Sequence, residues 1–426
     1  MRIAFTTLGC KINQFETDVI RRDLIARGNT IVPFDSEADV YIINTCSVTA
    51  KSDYQCRQVI RSAARRGNSA RIVVTGCYAE TRPDEIRNIP GVDLVIGNRD
   101  KPLIADRIMS IALPGTDPGA LLVRNAPLQA SVSRTRGFLK IQDGCDNRCS
   151  YCIVPLARGI SRSAHPDEVV REFGQMVQAG CPEVVLTGIH IGTYGADLDE
   201  GITLTDMVRR LLSVRGCSRI RLSSIEPGEI TDGLIEVLGD GLCRHLHIPL
   251  QSGDDGILSS MKRRYTAGFY LELLERISRR VPHIALGADV MVGFPGEGER
   301  EFQNTLDLVE RSPLTHLHVF SYSPRPGTPA AEMKPQVPEL VKKQRSAALR
   351  NLSRKKNLAF RQTNTGVRLS VVVEDKVDLK SGLFTGLTDN YIRVQCCGVN
   401  KNDVGKEIEV GITEVDEEST VANIVN

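Results

Sequence analysis

The stretch Gly144-Cys145-Asp146-Asn147-Arg148-Cys149-Ser150-Tyr151-Cys152 puts three thiols within eight residues, directly after a β-rich run at 138–141. The three follow a predicted strand, which places them in the loop at its end. The chain carries 12 cysteines in 426 residues. Met1 leads straight into the strand-like run 2–8, without the charged, apolar and small-residue regions of a secretory leader, so a cytoplasmic location is expected. In a reducing compartment, cysteines at this frequency point to metal or redox use rather than disulfides. No apolar run reaches the roughly 18 residues of a membrane span, and no membrane partner is expected.

Around this loop the chain alternates short β-rich runs with amphipathic helical stretches. Runs at 2–8, 30–34, 39–43, 71–75 and 92–96, with helices at 15–27 and 52–66, predict a small N-terminal parallel α/β domain over residues 1–112. Residues 113–134, rich in Pro, Gly, Ser and Arg, predict a linker. Strand runs at 138–141, 184–186, 219–222, 245–250, 285–292 and 317–320, each followed by a helical stretch, predict a partial (β/α)6 barrel over 135–338. Its working face would be the carboxyl ends of the strands. A basic helix is expected at 339–362, and the alternating, turn-punctuated remainder, 363–426, predicts a small antiparallel β-barrel.

Three more cysteines share a position. Cys10, Cys46 and Cys77 each follow a predicted parallel strand, and each comes after Gly or Thr. Carboxyl ends of parallel strands lie along one sheet edge, so thiols far apart in sequence can meet there. Small core residues are the competing reading, although the preceding Gly or Thr marks a turn rather than a strand centre. Three thiolates can hold three irons of a [4Fe-4S] cubane and leave the fourth iron open. A zinc knuckle competes for the 145–152 loop, but no fourth Cys or His follows nearby to close a tetrahedral site.

The C-x3-C-x2-C spacing after the first barrel strand resembles the radical S-adenosylmethionine superfamily. With Cys10, Cys46 and Cys77 added, the whole chain is similar to its methylthiotransferase family: a cluster domain, a radical barrel and a C-terminal TRAM-like domain. The segments Leu-Gly-Cys10-Lys11-Ile-Asn13-Gln14-Phe-Glu16-Thr17 and Asn44-Thr-Cys46-Ser-Val-Thr49 most resemble the subgroup acting on N6-threonylcarbamoyladenosine in tRNA. The resemblance implies two [4Fe-4S] clusters, S-adenosylmethionine bound at the open iron of the barrel cluster, and insertion of sulfur and a methyl group at C2 of the modified adenosine at position 37. It implies a tRNA partner and a reductant protein such as flavodoxin or ferredoxin. It also places Tyr151 near the adenine of the cofactor and makes Gly188, Ser224, Glu226, Gln251, Ser252 and Asp289, all near predicted strand ends, cofactor contacts. Polar groups in such places serve equally well as loop caps. A ribosomal-protein aspartate as substrate and a non-catalytic iron-sulfur RNA-binding protein are the alternatives.

The net charge is +2, so nucleic-acid binding cannot be read from overall charge. The tail from Thr363 carries six basic and eleven acidic residues, which is poor electrostatics for phosphate. The basic helix and the arginines at 57–66 and 134–162 are better candidates. Cys56, Cys181, Cys217, Cys243, Cys396 and Cys397 are expected to be structural. The pairs His245/His247 and His316/His318 each put two imidazoles on one strand face. They are expected to line the core or the cofactor, since a metal would want a carboxylate nearby.

Overall fold

The computed structural model describes residues 1–66, 70–112 and 135–425; the expected linker at 113–134 lies outside them. The chain forms two compact units that cut across the divisions expected from sequence. One contains the described residues of Met1–Leu128 together with Asp143–Arg162 and Ser323–Ala331, and the other contains the rest. The segment carrying Cys145, Cys149 and Cys152 therefore groups with the N-terminal residues.

In the first unit, β1 (Arg2–Thr7), β2 (Thr30–Val32), β3 (Val40–Thr45), β4 (Arg71–Gly76) and β5 (Leu94–Ile96) form a parallel sheet of order β2-β1-β3-β4-β5. All of β3 is buried. Tyr41 and Ile43 pack into one apolar cluster and Val40 and Ile42 into another, the signature of a parallel sheet covered on both faces. The crossover helices start at Lys11 and Ala50, both earlier than the apolar periodicity alone suggests. For the second, the reason is an N-cap: Thr49 accepts from the Ser52 backbone N–H.

In the second unit, β6 (Arg136–Lys140), β7 (Glu183–Thr187) and β8 (Arg219–Leu222) form one parallel sheet, and β9 (His245–His247), β10 (Ala285–Val292) and β11 (His316–Ser321) form another. Parallel bridges Ile220–Leu242 and Ser224–His247 link the two. The strand expected at 245–250 ends at His247. Pro249 follows, and Gln251 takes a φ of 63°, turning the chain out of the sheet. The helix Glu339–Thr363 is present, but much of its charge is spent internally. Lys342 donates to the Tyr322 carbonyl, Arg345 pairs with Glu297, and Lys356 donates to the carbonyls of Glu310 and Ser312. Lys343, Arg350, Arg354 and Lys355 are the exposed cations of this helix.

The tail forms a closed barrel of β12 (Arg368–Val377), β13 (Phe384–Thr388), β14 (Arg393–Cys397), β15 (Glu407–Val415) and β16 (Thr420–Ile424). The last strand was not expected from sequence. It pairs antiparallel with β15 but parallel with β14, so the barrel is not wholly antiparallel. It docks on β8 through buried arginines. Arg219 and Arg221 flank the fully buried Glu183 at 2.7 and 2.8 Å, and donate onward to the backbone carbonyls of Leu387, Thr388 and Asp389. Arg244 pairs with Asp389 at 2.7 Å. Burial opposes the charge on Glu183, yet the two guanidiniums hold its carboxyl down at about 2.

Candidate functional site

Cys10, Cys46 and Cys77 leave the same edge of the first sheet, because β1, β3 and β4 are adjacent, parallel and in register up to their carboxyl ends. Cys10 is the N-cap of Lys11–Ala26, and Cys77 opens the helix Cys77–Thr81. Cys10 is exposed, whereas Cys46 and Cys77 are buried. Two glycines make the turns possible. Gly9 has a φ of 106°, and a Cβ there would lie 2.7 Å from Cβ and 3.0 Å from Sγ of Cys46; Gly76 has a φ of 101°, and a Cβ would lie 2.3 Å from the Thr45 carbonyl oxygen.

Burial, with the charges of Cys77 and Cys10 adding to it, pushes the Cys46 thiol up to about 11. Thiols that raise one another in this way are held together as thiolates by a bound cation. The donor set fits an iron-sulfur cluster carried on three cysteines, which the competing core-residue reading does not explain.

Residues marked in the sequence by their spacing around these cysteines prove to form the scaffold. Asn13 is buried, and its Nδ2 donates to the carbonyls of Leu8 (2.9 Å) and Thr45 (3.1 Å), fastening the approaches to Cys10 and Cys46. Asn44 Nδ2 donates to the Asn13 carbonyl at 2.9 Å and to Thr17 Oγ1 at 3.0 Å. Buried Lys101 pairs with Glu16 at 2.5 Å. Asn98 bonds through Nδ2 to the Cys77 sulfur at 3.7 Å and to the Ala157 carbonyl at 2.7 Å.

The second triad occupies a loop closed on itself. The Cys145 N–H donates to the Gly159 carbonyl and the Cys152 N–H to the Cys149 carbonyl, both at 3.1 Å. Gly144 has a φ of 72°, and a Cβ there would fall 1.8 Å from the Ile160 carbonyl oxygen. Ser150 is fully buried, and its carbonyl accepts from Ala330. The three cysteines and Tyr151 are half-buried.

Sequence reasoning missed the residue that joins the two sets of loops. Arg158 is 5% exposed. Its guanidinium donates to Glu16 Oε1 at 2.8 Å, Asn13 Oδ1 at 2.7 Å and Asp143 Oδ1 at 3.0 Å. One buried cation thus ties the helix after Cys10 to the residue two before Cys145. Burial opposes its charge, but the neighbouring Cys77, Glu16 and Asp143 more than offset that and raise its pKa. Only its place among the arginines at 134–162 hinted at it, and there the expectation was phosphate contact.

The expected cofactor contacts belong to the second unit, apart from Tyr151 in the first. Gly188 follows β7, and a Cβ there would lie 2.8 Å from the Gln142 carbonyl oxygen. Ser224 forms the bridge to His247. Glu226 is paired with Arg263; burial raises its pKa and Arg263 works against that. The Gln251 backbone is bonded to Asp289 and Met291. The Ser252 side chain is fully buried, lies 3.4 Å from Thr305 Oγ1, and accepts from the Asp254 N–H. Asp289 accepts from His247 at 2.9 Å and from His318 at 3.4 Å. Burial opposes ionisation, but the two imidazoles hold this carboxyl well below the usual range.

Comparison with known proteins places this geometry. Residues 2–97 match the model described as "Uncharacterized protein family UPF0004", and residues 139–309 match that of the radical SAM superfamily. The chain is 42% identical over 424 residues to the threonylcarbamoyladenosine tRNA methylthiotransferase MtaB of Bacillus subtilis, covering 96% of this chain and 93% of that protein. It is 37% identical to the protein of the same name from Aquifex aeolicus, covering 96% and 100%. A tRNA-2-methylthio-N(6)-dimethylallyladenosine synthase from Endomicrobium trichonymphae is 33% identical over the full length of both chains. The fold is similar to that of the radical S-adenosylmethionine methyltransferase TsrM from Kitasatospora setae, with a TM-score of 0.58 and 15% identity over 78% of this chain and 77% of that one. The chain belongs to the methylthiotransferase family of the radical S-adenosylmethionine superfamily.

Proposed function

We propose that the protein inserts sulfur and a methyl group at C2 of N6-threonylcarbamoyladenosine at position 37 of tRNA. The observation that carries this reading is the second set of thiols, Cys10, Cys46 and Cys77, at one sheet edge. An enzyme that only generated a radical would need Cys145, Cys149 and Cys152 alone. The choice of threonylcarbamoyladenosine is supported by the identities of 42% and 37% to relatives of that name, against 33% for the dimethylallyladenosine relative.

In this reading Cys145, Cys149 and Cys152 hold one [4Fe-4S] cluster and Cys10, Cys46 and Cys77 the other. When bound, the clusters supply the electron that cleaves S-adenosylmethionine and an iron at which sulfur is carried. Tyr151, Gly188, Ser224, Glu226, Gln251 and Ser252 bind and orient the cofactor, and Asp289, bonded to His247 and His318, is the remaining contact. Glu226, kept in place by Arg263, offers an acceptor for hydroxyl or amino groups. Gly188 leaves room for close approach to the backbone.

The six strands β6–β11 read as a partial (β/α)6 barrel, and the closed tail barrel as TRAM-like. The exposed Lys343, Arg350, Arg354 and Lys355 are available to tRNA phosphates. The electron comes from a low-potential protein such as flavodoxin or ferredoxin, in the cytoplasm. Among the described residues no helix is long and apolar enough to cross a membrane. Nucleoside mass spectrometry of tRNA from cells lacking the protein tests the reading. The 2-methylthio derivative of threonylcarbamoyladenosine disappears while its precursor accumulates; an unchanged nucleoside profile would refute the substrate.

A further inference from the structure

The second unit gathers around Asp289 histidines that the proposed reaction leaves without a role. Because β9, β10 and β11 run parallel and in register, His247, Gly287 and His316 fall at one level, and Asp289 lies beside His318 at the next. A Cβ on Gly287 would sit 2.3 Å from Nε2 of His316 and 2.8 Å from Nδ1 of His247, so the missing side chain is what lets the rings crowd together. The carboxylate that the histidine pairs lacked in the sequence is supplied by the neighbouring strand.

His247 Nε2 and His318 Nδ1 stand 2.9 and 3.4 Å from the same oxygen of Asp289, and all three ligand atoms lie within 4.8 Å of one another. A tetrahedral ion with nitrogen and oxygen ligands at about 2.0–2.2 Å has ligand-to-ligand edges of about 3.4 Å. The donors already stand close to that spacing, on three strands that fix their backbones. The His247 and His318 rings are stacked with centroids 4.8 Å apart, and the His316 ring lies 6.1 Å from His247. Nε2 of His316 is buried with no hydrogen-bond partner. The His318 side chain is 54% exposed, leaving one side of the set open.

We propose that His247, Asp289 and His318 form a binding site for a divalent cation of the zinc, manganese or iron(II) class. Two imidazoles and one carboxylate suit these metals, and three protein ligands leave positions for water or another oxygen donor. The site shares no residue with either cysteine triad and does not depend on which nucleoside is the substrate.

Manganese(II) is the probe, because it has little affinity for thiolates. The enzyme loaded with both clusters is titrated anaerobically, following loss of the six-line electron paramagnetic resonance signal of free manganese. One ion binds per chain, zinc displaces it, and echo-modulation spectra of the bound ion show imidazole nitrogen couplings. His318→Ala, at a half-exposed position, keeps full iron content and weakens binding at least about tenfold. Asp289→Asn does the same, and His165→Ala at a distant exposed position leaves binding unchanged. Equal binding by the wild type and His318→Ala, no binding at millimolar manganese, or bound manganese without nitrogen couplings would each overturn the site.

Discussion

The two sets of three cysteines proposed to hold clusters are assembled by opposite structural means. Cys145, Cys149 and Cys152 are neighbours in the chain, and their loop is closed by bonds among residues 144–161. Cys10, Cys46 and Cys77 are strangers in sequence, and meet because three strands end along one edge. A short motif can survive wherever its loop is held, whereas the distributed set exists only while the whole sheet is folded. The first should fail locally and the second globally.

The largest effect that sharpens this contrast is loss of the local triad. Replacing Cys145, Cys149 and Cys152 with Ala should lower reconstituted iron from about eight to about four per chain and abolish reductive cleavage of S-adenosylmethionine. Iron analysis and 5′-deoxyadenosine release measure both. Replacing Cys10, Cys46 and Cys77 should also halve the iron, but methylthiolation stops while cleavage of S-adenosylmethionine remains measurable. Methylthio product at the normal rate would reduce these cysteines to core residues.

Glycine substitutions probe the same contrast through the backbone. Gly76→Ala forces a Cβ against the Thr45 carbonyl at the centre of the sheet edge, and should cost about 1–3 kcal/mol of global stability as well as the distributed cluster. Gly144→Ala collides with the Ile160 carbonyl, and should cost the local cluster while the thermal transition of the rest stays near its original value. Equal melting temperatures for the two variants would break the comparison.

Arg158 is where the two sets share a support. Arg158→Gln removes the buried cation shared by Glu16 and Asp143, leaving Glu16 with Lys101, and should destabilise the apoprotein by about 3 kcal/mol in denaturant unfolding. The smallest expected effect is Thr49→Ala, which removes the cap of the helix after Cys46 and should cost about 1 kcal/mol.

The legible parts of this fold were those carried by period and spacing. The α/β alternation, the strand ends bearing Cys10, Cys46 and Cys77, and the 145–152 loop all stand in short windows of sequence. Partnerships across long intervals did not. Nothing near Arg158 in the chain announces Glu16, 142 residues away. Nothing near His247 announces Asp289, which reaches it only through the pairing of β9 with β10. Nothing near Ser252 announces Thr305, beside which its side chain is buried. The strand at Thr420–Ile424 is short and lies at the chain's end, where its pairing with both β14 and β15 decides its structure.

The carbonyls that the tail barrel offers to Arg219 and Arg221 have a consequence for how far the tail can change. Beyond Glu183, the two guanidiniums donate to the main-chain carbonyls of Ser370, Leu387, Thr388 and Asp389, and Arg219 also reaches the side chains of Ser370 and Glu407. Main-chain acceptors are indifferent to side-chain identity, so substitutions at 387, 388 and 389 leave these bonds in place, whereas Ser370 and Glu407 are held to their side chains. Without the tail, Arg219 and Arg221 would keep Glu183 but lose every other acceptor, so the arginines that serve this strand also make its stability depend on the barrel.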